Sequence, residues 1–161
     1  MTDHELSHLP KEARAFQGQP AGVVSRLLVN AVDALVVVAV LVAIYLGVNG
    51  LLFFLDPRSF HFHEPIPLAT VSSALVVSAV YLGGAWAIFE RTYGAHVMGL
   101  RVVGRGGRRI RPLVAVARAA FSVVFPVGLL WCVVNPHSRS VQDIVLRTSV
   151  IYDWRPRTPD R

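Results

Sequence analysis

The chain has 161 residues, 53% of them hydrophobic and only 16% charged, with a formal net charge of +6 and a mean hydropathy of +0.50. An average soluble domain carries about 25% charged residues, so this chain has too little charge to cover the surface of a small soluble core. The composition excludes a disordered basic tail and an ordinary water-soluble nucleic-acid binder, and it points to a small membrane protein.

Residues 1–20 are polar, hold Asp3, Glu5 and Glu12, and are broken by Pro10 and Pro20. They read as a flexible cytoplasmic tail with no cleavable signal. Residues 34–55 and 67–89 carry no charge. A spanning helix needs about 20 apolar residues at 1.5 Å each, so both runs are expected to cross a bilayer. The first helix should start near Val23, which draws Arg26, Asn30 and Asp33 into it. The third run, 113–134, contains Arg118, has Pro126 and Gly128 in its middle, and ends at Asn135 and Pro136. It reads as a kinked full crossing or as a broken re-entrant segment, the full crossing being preferred. Residues 100–103 and 108–110, around the glycine turn at 104–107, read as a small cytoplasmic β-hairpin, with the β-rich run 148–152 as a further strand able to pair with it. Residues 140–147 suggest a short helix, with Ser140 and Asp143 as a capping box. The expected fold is thus an all-α membrane protein: a bundle of two or three transmembrane helices with a small β-hairpin. Its membrane domain covers 21–152 and a basic carboxyl tail covers 153–161. Cys132 is the only cysteine, which leaves no disulfide.

Charge predicts orientation. The 56–66 loop sets Arg58 against Asp56 and Glu64, whereas the segment after the second run has Arg91, Arg101, Arg105, Arg108, Arg109 and Arg111 against Glu90. The positive-inside rule places that segment, and with it the amino terminus, in the cytoplasm of a cell whose inner membrane holds the protein. The carboxyl-terminal arginines also prefer the inside, which favours a re-entrant third segment. Arg101, Arg105, Arg108, Arg109 and Arg111 read as a patch for anionic lipid headgroups, worth about 1 kcal/mol each beside such a surface. Trp86, Phe89 and Tyr93 read as an inner aromatic belt. Ala79, Gly83 and Ala87 form a small-residue stripe that suits close packing, more within the monomer than in a dimer.

Arg26, Asn30 and Asp33 fall at i, i+4 and i+7, on one helix face, with about 10 Å of axial rise between the two charges. That separation sends each charge to a partner on another segment, and Arg118 and Asp143 are the candidates. A charge at mid-bilayer costs at least about 2.5–3.5 kcal/mol, so such groups face the protein interior or water. Asp33 is therefore a candidate proton or cation site tuned by Arg26 and Arg118. The competing interpretation is a fixed interhelical ion pair.

These residues form a set that resembles the RDD family of small bacterial membrane proteins. It comprises Arg26 and Asp33 in the first helix, Asp143 in the QDIVLRT run at 142–148, Arg118, and the YGAHVMGLRVV run at 93–103. His96 stands where many members have lysine or arginine, and Val145, Leu146 and Arg147 stand where many have leucine, alanine and glycine. The resemblance implies a multi-pass membrane protein, and transport of an unknown ligand or sodium/proton exchange is proposed for the family.

Other motifs are weaker. The glycine turn lacks the lysine and the strand–helix frame of a P-loop. His61, His63 and Glu64 make a poor metal site on a loop, and lipid contact by Phe60 and Phe62 is the preferred reading. No cofactor, enzymatic activity or nucleic-acid partner is expected. One chain this small encloses too little for a whole pathway, so transport would need an oligomer. The alternative role is a membrane adaptor or lipid-interacting subunit of a larger complex.

Overall fold

Helix α1 (Val23–Leu55) opens the computed structural model, which describes residues 16–104, 107–128, 131 and 140–153. The helix starts where the sequence places it. No side chain caps it; instead the fully buried Ala21 donates its N–H to Val150 O at 2.8 Å. At the far end, the buried Asn49 amide donates to Tyr45 O at 2.9 Å and accepts from His63 N–H at 3.3 Å, which ties down the returning loop. On that loop Phe60 packs edge-on against Phe53 and Phe62, with centroids 5.2 Å apart in each pair.

Helix α2 (Pro67–Phe89) begins with proline at its first turn, where the missing N–H has no intrahelical role. It runs antiparallel to α1. Both helices are long and apolar enough to cross a membrane. Their large apolar side chains, such as Leu51, Phe54, Leu68 and Val80, point outward and are exposed. A helix that is apolar all round needs an apolar solvent.

Helix α2 stops at Glu90, which adopts φ 59. The Thr92 hydroxyl then caps the short helix α3 (Tyr93–Val97) by accepting from Ala95 N–H at 3.2 Å. Strand β1 (Leu100–Val103) follows. The expected hairpin with 108–110 does not form. Arg108 and Arg109 are exposed there, and Pro112 opens the next helix too soon to leave room for a ladder. Instead β1 pairs antiparallel with β2 (Ser149–Tyr152), Leu100 opposite Tyr152 and Val103 opposite Ser149. Residues 18–20, the end of the expected tail, and Ala21 run along the other edge of β2: Gly18 N–H donates to Tyr152 O at 2.8 Å, and Tyr152 N–H to Gln19 O at 3.0 Å.

The third apolar run yields helix α4 (Pro112–Val124), 13 residues long. That is about 20 Å of rise, short of the roughly 30 Å hydrocarbon core, so the preferred full crossing is not made by this helix. The cause is Pro126, which forces its predecessor out of helical geometry; Phe125 sits at φ −130 and ψ 66. Residues 129–130 and 132–139 of this stretch, including Cys132, lie outside the described residues. Helix α5 (Val141–Val145) follows, with the expected capping box between Ser140 and Asp143. Thus residues 18–21, β1 and β2 form one layer at the end of the bundle where α1 starts and α2 stops.

The buried core lies at that same end and gathers Ala21, Trp86, Leu100, Val102, Ala115 and Val150. Helix α4 packs along α2, where a side chain added at Gly83 would sit 3.5 Å from the Ala119 methyl. The small-residue stripe therefore serves packing inside the monomer.

Candidate functional site

Three of the five polar candidates converge. Asp143 stands between two arginines: Arg26 Nη1 donates to its Oδ2 at 2.5 Å, and Arg118 Nη1 donates to its Oδ1. Its side chain is 0% exposed, and those of Arg118 and Arg26 are 4% and 8% exposed. Arg118 also donates to the Thr148 hydroxyl at 2.5 Å, which in turn donates to Asp143 Oδ1 at 3.0 Å. Arg26 Nε donates to Ala21 O at 3.2 Å. Burial works against the Asp143 charge, but Arg118 and Arg26 outweigh it and hold the carboxyl well below the usual range. Capping and ion pairing are both true of Asp143.

Trp86 departs from the expected aromatic belt. It is buried, and the Arg118 guanidinium lies over its ring at 4.8 Å, a cation–π contact. Phe89 and Tyr93 are exposed.

Asp33 is not part of the ion cluster. Its Oδ1 accepts from the Tyr81 hydroxyl at 2.7 Å and from Gly94 N–H at 2.9 Å, while Tyr81 itself accepts from Tyr93 N–H at 3.0 Å. A Cβ at Gly94 would fall 2.6 Å from Val29 O and 2.9 Å from Asp33 Oδ1, so only glycine lets α3 approach this closely. Among the described residues the carboxylate has no cationic partner.

A cavity of about 450 Å³ lies between α1, α2 and α4, and it joins the two groups. Arg26, Asn30, Asp33, Arg118 and Ser122 line it. Farther along α1 its walls turn apolar, with Val37 and Leu41 facing Ala74 and Leu75 of α2.

The arginine patch divides. Arg101 is not a free headgroup ligand: it donates to the fully buried Glu90 at 2.7 Å and to Asp153 at 3.1 Å. Arg109 pairs with Glu90 at 2.7 Å yet stays more than half exposed. Arg108 and Arg111 are exposed, and Arg105 lies outside the described residues. His61 and His63 stack with ring centroids 4.9 Å apart.

The sequence reading missed Tyr81, Glu90 and Thr148 as polar partners. Thr148 was legible as the last residue of the quoted 142–148 run; a lone tyrosine in an apolar run and an acid at a helix end carry no comparable signal.

The comparison with known families follows the same residues: the RDD family model matches residues 20–147, which hold Arg26, Asp33, Arg118 and Asp143. The chain belongs to the RDD family. Family membership and the two long apolar helices make this RDD protein an integral membrane protein. Neither the curated proteins nor the solved structures returned a match to it.

Proposed function

We propose that this RDD protein crosses the inner membrane with α1 and α2, keeps its β layer on the cytoplasmic side, and moves a cation or small solute through the α1–α2–α4 cavity. Asp33 exchanges the proton or cation. One observation carries this reading: a buried carboxylate on a membrane helix lines a cavity, and its described partners are a neutral hydroxyl and an amide. An ionisable group placed so is a functional candidate by default. The Arg26–Asp143–Arg118 cluster is the fixed part of the site. It locks α1, α4 and α5 together, and it acts on Asp33 only through the shared cavity. An oligomer supplies the remainder of the path.

The test is cation-driven proton flux in reconstituted vesicles, with Asp33→Asn as the variant. Flux that depends on the protein and falls to background in the variant supports the proposal; equal flux in both removes Asp33 from it. Arg108 and Arg111 favour a second, compatible role in holding anionic lipid at the inner surface. Vesicle binding that weakens with salt tests that role.

A further inference from the structure

The cavity has a chemical polarity that the role of Asp33 does not use. Arg118 and Ser122 lie one turn apart on α4, and both are more than nine-tenths buried. Each keeps one buried polar atom without a hydrogen-bond partner among the described residues, Arg118 Nε and Ser122 Oγ. Both residues line the cavity. Buried polar groups are rarely left unpaired, and each exception asks for an unseen partner.

The chemistry of that partner is constrained. An arginine Nε–H only donates, so the missing group is an acceptor, and a guanidinium binds an anionic oxygen about twice as strongly as a neutral one. At this end Arg26 and Arg118 share the single carboxylate of Asp143, and the cavity's other carboxylate, Asp33, lies two turns along α1 from Arg26.

The other end is apolar. From Arg26 to Leu41 the cavity follows α1 for about 22 Å. One leaflet with its headgroup region is about 20–22 Å thick, so the cavity is as long as one leaflet is deep. A volume of about 450 Å³ sits in the lower part of the range for small-molecule pockets, about 300–1,000 Å³. It has room for one alkyl chain and not for a two-chain phospholipid.

We propose that this cavity binds a single-chain anionic amphiphile of the fatty-acid class, with its carboxylate at the Arg118–Ser122 end and its chain along Val37, Leu41 and Leu75. The proposal rests on reading the cavity as a solute site, but not on transport across the membrane.

Trp86 lines the cavity and provides the probe. The full chain is placed in nanodiscs of neutral lipid, and tryptophan quenching is followed with brominated stearic acid, brominated stearyl alcohol and a brominated phosphatidylglycerol. Trp86→Phe identifies the signal that belongs to the cavity. The expected result is saturable quenching by the acid, with affinity for the alcohol and the phospholipid at least about tenfold lower. Ser122→Ala, which leaves the ion cluster intact, weakens the acid about fivefold with an unchanged melting temperature. Ala74→Phe, at the apolar end, removes binding. Equal quenching by the alcohol overturns the anionic headgroup, and equal quenching by the phospholipid overturns the single chain. Absence of quenching alongside Asp33-dependent flux overturns this inference and leaves the proposed function standing. Acid binding without flux supports the inference while removing the transport role.

Discussion

Replacing Asp143 with asparagine removes one charge that serves two buried arginines. The carboxylate is fully buried, and neither guanidinium has another anionic partner among the described residues. Taking away one member of a buried ion pair costs about 3–5 kcal/mol, because the other charge stays buried without compensation. In a chain of this length 1 kcal/mol corresponds to roughly 2–4 °C, so Asp143→Asn should lower the melting temperature by about 10 °C. Asp33→Asn is the internal control. An asparagine amide oxygen accepts the same two hydrogen bonds from Tyr81 and Gly94, so this variant should lose less than about 1 kcal/mol. The assay is thermal unfolding in mild detergent, followed by size-exclusion chromatography of the remaining monodisperse protein. An equal loss in the two variants, or a loss below about 1 kcal/mol for Asp143→Asn, refutes the division into a structural cluster and a separate exchanging acid.

The same carboxylate should set the acid limit of the fold. Its folded pKa lies below the unfolded value of about 3.9 despite its burial, because Arg118 and Arg26 favour the charge. Its contribution is therefore fully present above that value and lost only as pH falls through the folded one. Melting temperature measured from neutral pH downward should show no loss from this group until about pH 4, and Asp143→Asn should flatten the limb below. Gly94→Ala should push α3 off α1 at a cost of about 1–3 kcal/mol, seen as reduced yield of folded protein, whereas Gly83→Ala meets an ordinary 3.5 Å contact and should be tolerated. Arg147 holds φ 52 on the surface, so Arg147→Gly should relieve left-handed strain and stabilise by about 1 kcal/mol, read as a rise in melting temperature.

The parts legible in the sequence were those where a residue opposes its surroundings. Arg26, Arg118 and Asp143 interrupt apolar segments, and opposite charges in a low dielectric find one another. The start of α1 and the Ser140 cap follow local rules. The glycine that many relatives carry at position 147 now has a physical reason, the positive φ there. What was not legible depends on distance along the chain or on groups without a signature. The run 148–152 was legible as a strand that could pair with β1; that it displaces the adjacent 108–110 segment was not, and it does so because β2 offers Val150, Ile151 and Tyr152 while the nearer segment offers exposed arginines. Asp33 was expected to seek an arginine and found a backbone N–H, a donor that every residue but proline possesses. Trp86 looked interfacial because nothing local announces that Arg118 will cover it.

The Arg26–Asp143 bond joins residues 117 positions apart, and this separation has a consequence in time. Ribosomes add about 5–20 residues per second, so α1 is complete on the order of ten seconds before its counter-ion exists. During that interval the uncharged stretch 34–55 anchors the chain, and Arg26 waits among water and headgroups. Gly94, which donates to Asp33, also arrives late. The polar cluster can therefore close only after Asp143 and Thr148 have been made, late in synthesis, and just before β2 completes the layer beside it. A chain truncated before Ser140 would present an unmatched arginine at the membrane surface, the kind of defect by which cellular quality control tells an unfinished membrane protein from a finished one.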